Sequence, residues 1–443
     1  YQKTPADLAA VSSASGPGGG NTTSGTVNVL RVGSFTYTNN CMNLGSLAGN
    51  RFNVVLRNIN VDATNNTTKN VAVRMAEAEK VLQIAAASLK TVGCVNYFGM
   101  QRFGKYFDNH KIGIELLKGN FEEAVNMIMK EKKEEQQERV AEARRRWDTR
   151  FNQATTKEAA EKSVANSIRK VFGKFMTCES KLMDHLSNRP CDYKGAMLKS
   201  LPRNMTLMFL HSLQSFIWNK AASYRISEGG STAVTVGDLV LVEDSCLAEG
   251  GSGTSGLLGK RVDVVTEQDV ISNKYSITDV VLPLVGNKII YPSNSVGGYI
   301  DGLLKEEGLS KKDLTQREKE LTLGGDYRKL ICKPSDVQWN IIRYNNPLQP
   351  LIQTDLMKIT GEKIALSSAN DKNSLLGMVI SFTLPPSSYA TIALRELMKR
   401  PTIGEYQKRL KLEGSCEEDL LKSSCIATNA DAKQQESCER LQL

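Results

Sequence analysis

"NYFGMQRFG", residues 96–104, breaks every regular pattern around it. Its nine residues hold three aromatic rings (Tyr97, Phe98 and Phe103), two glycines (Gly99 and Gly104) and one arginine (Arg102). The apolar positions neither alternate nor recur at three and four, so the stretch is neither a half-buried strand nor an amphipathic helix. Upstream, Met75, Ala78, Leu82, Ala85 and Leu89 step by three and four, which predicts a helix that Gly93 ends. Before that, Phe52, Val54 and Leu56 alternate with Asn53, Val55 and Arg57 as a half-buried strand does. A β-rich unit thus begins near Arg31, and one helix delivers the chain to a tight cluster of rings, bare backbone and guanidinium.

A chain of 443 residues exceeds what one core usually fills, which predicts two or three globular units. It opens on Tyr1 with no apolar leader, as expected of a processed chain or a fragment. The longest apolar runs, "AVTVGDLVLVED" and "DVVLPLVGNKIIYP", are too short and interrupted to span a bilayer, so no membrane partner is expected. Nine cysteines are scattered with no C-x-x-C pair, and only three histidines (110, 185 and 211) are present. That usage fits a reduced, intracellular compartment, nucleus or cytoplasm, and gives no zinc spacing. A net charge of +9 leans towards a polyanionic partner. No P-loop, no dinucleotide fingerprint, no H-E-x-x-H, no G-x-S-x-G and no EF-hand pattern occurs, so neither a cofactor nor a metal is indicated. Any catalysis falls to carboxylate, arginine and aromatic groups.

Elsewhere the chain reads in blocks. Residues 12–25, "SSASGPGGGNTTSG", form a polar linker, and "GGSGTSG" (250–256) a flexible turn. Residues 120–153 are helical and densely charged, with Glu135/Arg139 and Glu142/Arg146 four apart, and read as a solvated face. Arg144, Arg145 and Arg146 there could add a phosphate patch. Residues 207–227 carry the stripe Phe209, Leu213, Phe216, Ile217 and Ala221 of a buried helix. A strand-rich region runs to about Pro292, residues 379–402 read as strand, turn and helix, and the tail from about Glu413 as disordered.

Six stretches carry a resemblance: "LGSLAGNRFNVVLRNI", "VNYFGMQRFG", "LPRNMTLMFLHSLQSFIWNKAASYRI", "DVVLPLVGNKIIYP", "LGGDYRKLICKPSDVQW" and "FTLPPSSYATIALREL". In this order, spanning roughly Arg31 to Leu397, they resemble the TruD family of RNA pseudouridine synthases, in its eukaryotic branch. The resemblance implies isomerisation of uridine in tRNA, with mRNA and snRNA as further candidate substrates, by a monomer using neither metal nor cofactor. An enzyme that remodels a uridine inside folded RNA must extrude the nucleotide, and stacked bases gain roughly 1–3 kcal/mol each on aromatic faces. By resemblance Asn96 and Phe98 stand beside the catalytic aspartate, and Tyr389, where many members carry phenylalanine, packs on the target base. Gly99 and Gly104 would let the backbone approach or turn, while Gln101 and Arg102 would bond RNA or brace the loop. The residues leave open that Tyr97 and Phe103 are core rings and Arg102 a buried brace. Tyr327, Arg328 and Lys329 suit an RNA backbone contact or a plain surface turn, and Arg395 with Glu396 an internal ion pair.

The family's reaction depends on an aspartate in a G-x-K-D…T-x-Q motif ahead of the first strand, and that motif is absent from these residues. "SKKDLTQ" (310–316) imitates it in the wrong half of the chain, and Asp313 reads as a helix cap or surface residue. The expectation is that the chain begins just after the nucleophile. The alternative is an inactive RNA-binding or assembly protein that kept the fold. The implied architecture is α+β, a pseudouridine synthase core with a mixed or antiparallel sheet interrupted by a TruD-type insertion. Its parts are an N-terminal segment and linker (1–25), core (26–125), charged helical insertion (126–204), insertion domain (205–375), returning core (376–410) and polar tail (411–443).

Overall fold

The computed structural model describes residues 37, 47–59, 71–132, 137–152, 156–172, 177–243, 260–344, 346, 348–364 and 375–400. The linker and the polar tail lie outside them. From Ala48 onward the chain forms one compact unit. Among the described residues every strand pairing is antiparallel.

The alternating stretch folds as β1 (Asn50–Leu56) and pairs along its whole length with β9 (Leu375–Leu384). On β9 Met378, Ile380, Phe382 and Leu384 are buried at period two, and Phe52 meets Phe382 directly across the ladder with ring centroids 5.7 Å apart. The third strand, β8 (Ser335–Tyr344), flanks β9 on its other side. Residues 335–344, expected within the insertion, pair with β9 in the same sheet as β1, with a bulge between Ser335 and Gln338.

The predicted stripe forms α1 (Val71–Thr91), with Ala78, Leu82 and Leu89 buried and Ala85 half-buried. It packs on β8 and on α11 (Ala390–Met398). Gly93 ends it at φ +85, where a Cβ would lie 2.4 Å from the Cys332 carbonyl oxygen. Only glycine meets both constraints. The next two residues, β2 (Cys94–Val95), pair with β7 (Ile331–Cys332) and lead into the 96–104 motif.

Five short helices follow: α2 (Asn109–Lys118), α3 (Phe121–Met129), α4 (Glu138–Asp148), α5 (Lys157–Ile168) and α6 (Thr177–Asn188). The charged stretch is more than a solvated face, because α4 buries Val140, Ala143, Arg144 and Trp147. Arg144 is fully buried, donates to the Ile128 carbonyl and pairs with Glu179, while Arg145 pairs with Glu131 and Glu138. That withdraws Arg144 from a phosphate patch. The long buried helix is α7 (Arg203–Gly229), which packs on α2, on β5 (Val280–Leu284) and on α9 (Ser295–Glu306).

A second sheet runs in the order β4-β3-β5-β6, built from β3 (Leu239–Glu243), β4 (Lys260–Val264), β5 and β6 (Asp326–Lys329). Two further short helices are α8 (Glu267–Ile271) and α10 (Asp355–Thr360). Only Leu330 separates β6 from β7. Asp313 caps a helical turn, as read, by accepting bonds from the Ser310 backbone and hydroxyl. No helix among the described residues is long and apolar enough to cross a membrane.

The end of α7 is fixed by Arg225, whose guanidinium meets Asp238 through two bonds of 2.8 and 2.6 Å and also reaches the Gly230 and Ala233 carbonyls. Both side chains are 1% exposed. Breaking such a pair strands a buried charge. Arg225→Met is therefore expected to destabilise the fold by about 3–5 kcal/mol, read as a lowered urea midpoint. A midpoint equal to that of the wild type would show that Asp238 finds other donors.

Candidate active site

The motif follows β2 directly, and its first residues are held by backbone bonds. The Asn96 amide donates to the Leu330 carbonyl at 2.8 Å, continuing the β2–β7 ladder. Phe98 is clamped from α7: its N–H donates to Asn219 Oδ1 at 2.9 Å, and Asn219 Nδ2 donates back to the Phe98 carbonyl at 3.1 Å. One buried side-chain amide thereby stands in for a missing β-strand partner. The Phe98 ring lies edge-on to Trp218, with centroids 5.7 Å apart, and to Tyr389, at 6.1 Å. Trp218 is set by its indole N–H, which donates to the Leu282 carbonyl at 3.2 Å.

Asn96, Phe98 and Tyr389 thus come together although nearly three hundred residues separate the first from the last. The group that joins them is Arg328, on β6. Its Nε donates to the Asn96 carbonyl at 2.8 Å and its Nη2 to Asn96 Oδ1 at 2.9 Å. Nη1 reaches the Ser387 carbonyl at 2.5 Å, two residues before Tyr389. The guanidinium carbon sits 4.0 Å from the Phe98 ring centroid, 5.3 Å from Trp218 and 5.9 Å from Tyr389, all within cation–π range.

This placement corrects the reading of "YRK". Arg328 is 6% exposed and is not part of an exposed surface turn. Tyr327 is half-buried, and its hydroxyl accepts from the Ile290 N–H. Lys329 alone of the three is exposed. The signal for Arg328 was in the alternation: it shares parity with the apolar Leu330 and Cys332, so a strand there turns it inward with them. Asn219 offered a similar signal, an amide within a predicted buried helix that has to find partners.

The remaining motif residues divide. Tyr97 and Phe103 are core rings, 6% and 8% exposed, and the Tyr97 hydroxyl bonds Ser223 at 2.8 Å. Arg102 is half-buried with its guanidinium 5.4 Å from the Phe98 centroid, and its carbonyl accepts from Ser212. Gln101 is exposed. At Gly99 a Cβ would lie 2.8 Å from the Tyr389 ring, so the bare backbone lets that ring approach. Gly104 takes φ +82 at the turn into α2. On α11, Arg395 lies 5.3 Å from the Tyr97 ring centroid, while Glu396 pairs with Lys399.

Electrostatically the centre is a buried cation among neutral acceptors. Burial brings the Arg328 guanidinium down to about 10, opposed by Tyr389, so it stays charged at neutral pH. Among the described residues no carboxylate bonds to Asn96, Arg328 or Tyr389. Among them, too, no group of three or more His, Cys, Asp or Glu side chains is placed to hold a metal ion. What the arrangement shows is a cluster of aromatic rings around a positive charge that no carboxylate offsets among the described residues.

The family model for tRNA pseudouridine synthase D (TruD) matches residues 21–397. The multisubstrate pseudouridine synthase 7 of Schizosaccharomyces pombe is 32% identical over 395 residues, which cover 86% of this chain and 53% of that protein. The pseudouridylate synthase 7 homolog of Homo sapiens is 32% identical over 382 residues, covering 86% of this chain and 50% of that one. The chain therefore spans about half the length of the curated relatives it matches. The crystal structure of a Methanosarcina mazei protein described as tRNA pseudouridine synthase D aligns with a TM-score of 0.56 at 24% identity, over 80% of this chain and 70% of that one, which shows a shared α+β fold. The 96–104 motif, the strand bearing Arg328 and the loop ending at Tyr389 all lie inside the matched residues, and the chain belongs to the TruD family of pseudouridine synthases.

Proposed function

We propose that this chain holds the target nucleotide for the isomerisation of uridine to pseudouridine in tRNA and other RNAs, acting as a monomer with no metal or cofactor. The nucleophile is an aspartate of the family's G-x-K-D motif, outside residues 1–443. The observation that carries the reading is the meeting of Asn96, Phe98 and Tyr389 around Arg328, a buried guanidinium with no carboxylate partner among the described residues.

Uracil is planar, and an extruded base is held between apolar and aromatic surfaces. Tyr389, half-buried at the head of α11 and edge-on to Phe98, supplies such a surface. The reaction breaks C1′–N1, turns the uracil and forms C1′–C5; a proton leaves C5 and one is gained at N1. A carboxylate assists as nucleophile or proton relay, and needs a nearby positive charge to stay ionised in a water-poor site. Arg328 is that charge, aimed by Asn96 and Ser387. Asp313 is unsuited to the role, because its carboxylate is engaged by the Ser310 N–H and hydroxyl in capping its own helical turn.

In a protein that carries the aspartate, Tyr389→Phe is expected to keep activity. Tyr389→Ala should lower kcat/KM roughly 5–150-fold, the equivalent of about 1–3 kcal/mol of stacking. Arg328→Met should lower kcat by about 100-fold or more with the fold intact by circular dichroism. Full activity in both Tyr389→Ala and Arg328→Met would remove the site assignment. Residues 1–443 alone are expected to bind structured RNA and yield no pseudouridine, measured by pseudouridine mapping, since stacking remains while the reacting carboxylate is missing. Pseudouridine made by residues 1–443 and abolished by Asp313→Asn would overturn the placement of the nucleophile.

A further inference from the structure

Two thiols face each other directly behind this site. Cys94 on β2 and Cys332 on β7 are partners in the antiparallel register, and both are free and buried, 6% and 4% exposed. Directly opposed residues in such a ladder stand about 4.5–5.5 Å apart at Cα. A disulfide accepts about 4.4–6.8 Å. Two residues along, past the Val95–Ile331 rung, the ladder is continued by the bond from the Asn96 amide to the Leu330 carbonyl, so the two strands are held together beside the pair. Cys178 and Cys191, the other described cysteines, lie in and beyond α6, and neither faces another cysteine in a strand ladder.

We propose that Cys94 and Cys332 are a redox modification site, forming a reversible disulfide when a hydroperoxide oxidises them and stapling the strand ahead of Asn96 to the strand that follows Arg328. The inference stands on the register and burial of the pair, independently of the reaction assigned to the site.

The surroundings set the order of events. The Cys332 thiol is drawn down to about 7, first by the hydrogen bond from Cys94, against burial, with further help from Ser388, Arg328 and Lys329. Cys94 is pushed up, first by that same bond and then by its own burial. Arg328, Lys329 and the Ser388 hydroxyl lie on the Cys332 side of the pair and favour its thiolate, so Cys332 is the thiol that attacks. Its sulfur takes one peroxide oxygen, the O–O bond breaks, and the departing hydroxide or alkoxide gains a proton. The Cys94 thiol then displaces the hydroxyl from the Cys332 sulfenic acid and loses its own proton. With hydrogen peroxide, two thiols and one peroxide become one disulfide and two waters. A thiol this deep admits a small peroxide and excludes a protein oxidant, while a small dithiol such as dithiothreitol reverses the bond after local opening.

The test is a peptide map of residues 1–443 treated with hydrogen peroxide in the native state, then denatured, alkylated with iodoacetamide and digested. Expected is one linked pair of peptides joining Cys94 to Cys332, two hydrogens lighter than the free pair, which dithiothreitol returns to full alkylation. In Cys332→Ser the same treatment should leave Cys94 alkylated. The wild-type map decides the matter even if that variant fails to fold. Both thiols fully alkylated after peroxide, Cys332 driven to sulfinic or sulfonic acid beside an intact Cys94, or either thiol linked to Cys178 instead, would overturn the inference.

Discussion

A guanidinium taken out of water must be met by acceptors, and this fold meets two of them in opposite ways. Arg225 is answered by a carboxylate, two bonds to Asp238 with both groups dry, and the pair locks the end of the long helix. Arg328 is answered only by carbonyls, one amide oxygen and three ring faces. The first arrangement neutralises a charge; the second concentrates one. Because Arg328's acceptors belong to the 96–104 motif and to the loop ending at Tyr389, its charge is also what brings those distant segments together. The rest of the site is arranged around satisfying that one side chain.

The ring that Arg328 faces is fixed from a third direction. Asn219 closes two bonds on the Phe98 backbone, Trp218 meets the ring edge, and the bare Gly99 leaves room for Tyr389. Three elements that do not pair with one another, the motif, the long helix and the final turn before α11, therefore share one cluster. The Phe98 ring and its neighbours are thereby ordered in the free protein, which leaves them little conformational freedom to lose.

The sequence was most legible where periodicity was strong. The stripe ending at Leu89, the strand through Phe52 and the buried helix through Phe216 all fold as their spacing predicts, because each buries one continuous apolar face. Residues 96, 98 and 389 were picked out by resemblance, and their convergence is a tertiary fact that no local pattern contains. Arg328 is hidden by composition: "YRK" looks solvated, yet alternation with Leu330 and Cys332 turns its middle residue inward. Arg144 was misjudged for the same reason, as a helix rich in arginine still buries one when a carbonyl and Glu179 wait for it. The pairing of Ser335–Tyr344 with β9 carries no marker, since a strand that pairs with β9 looks in sequence like one that pairs with β5.

Leu330 is the whole of the connection between β6 and β7, and one residue of extended chain reaches no further than about 3.3–3.6 Å. A joint with so little slack cannot act as a hinge. The four-stranded sheet is therefore tied to Asn96 through Arg328 with no flexible segment between them, and a substitution that displaces β6 is felt at the motif without touching it.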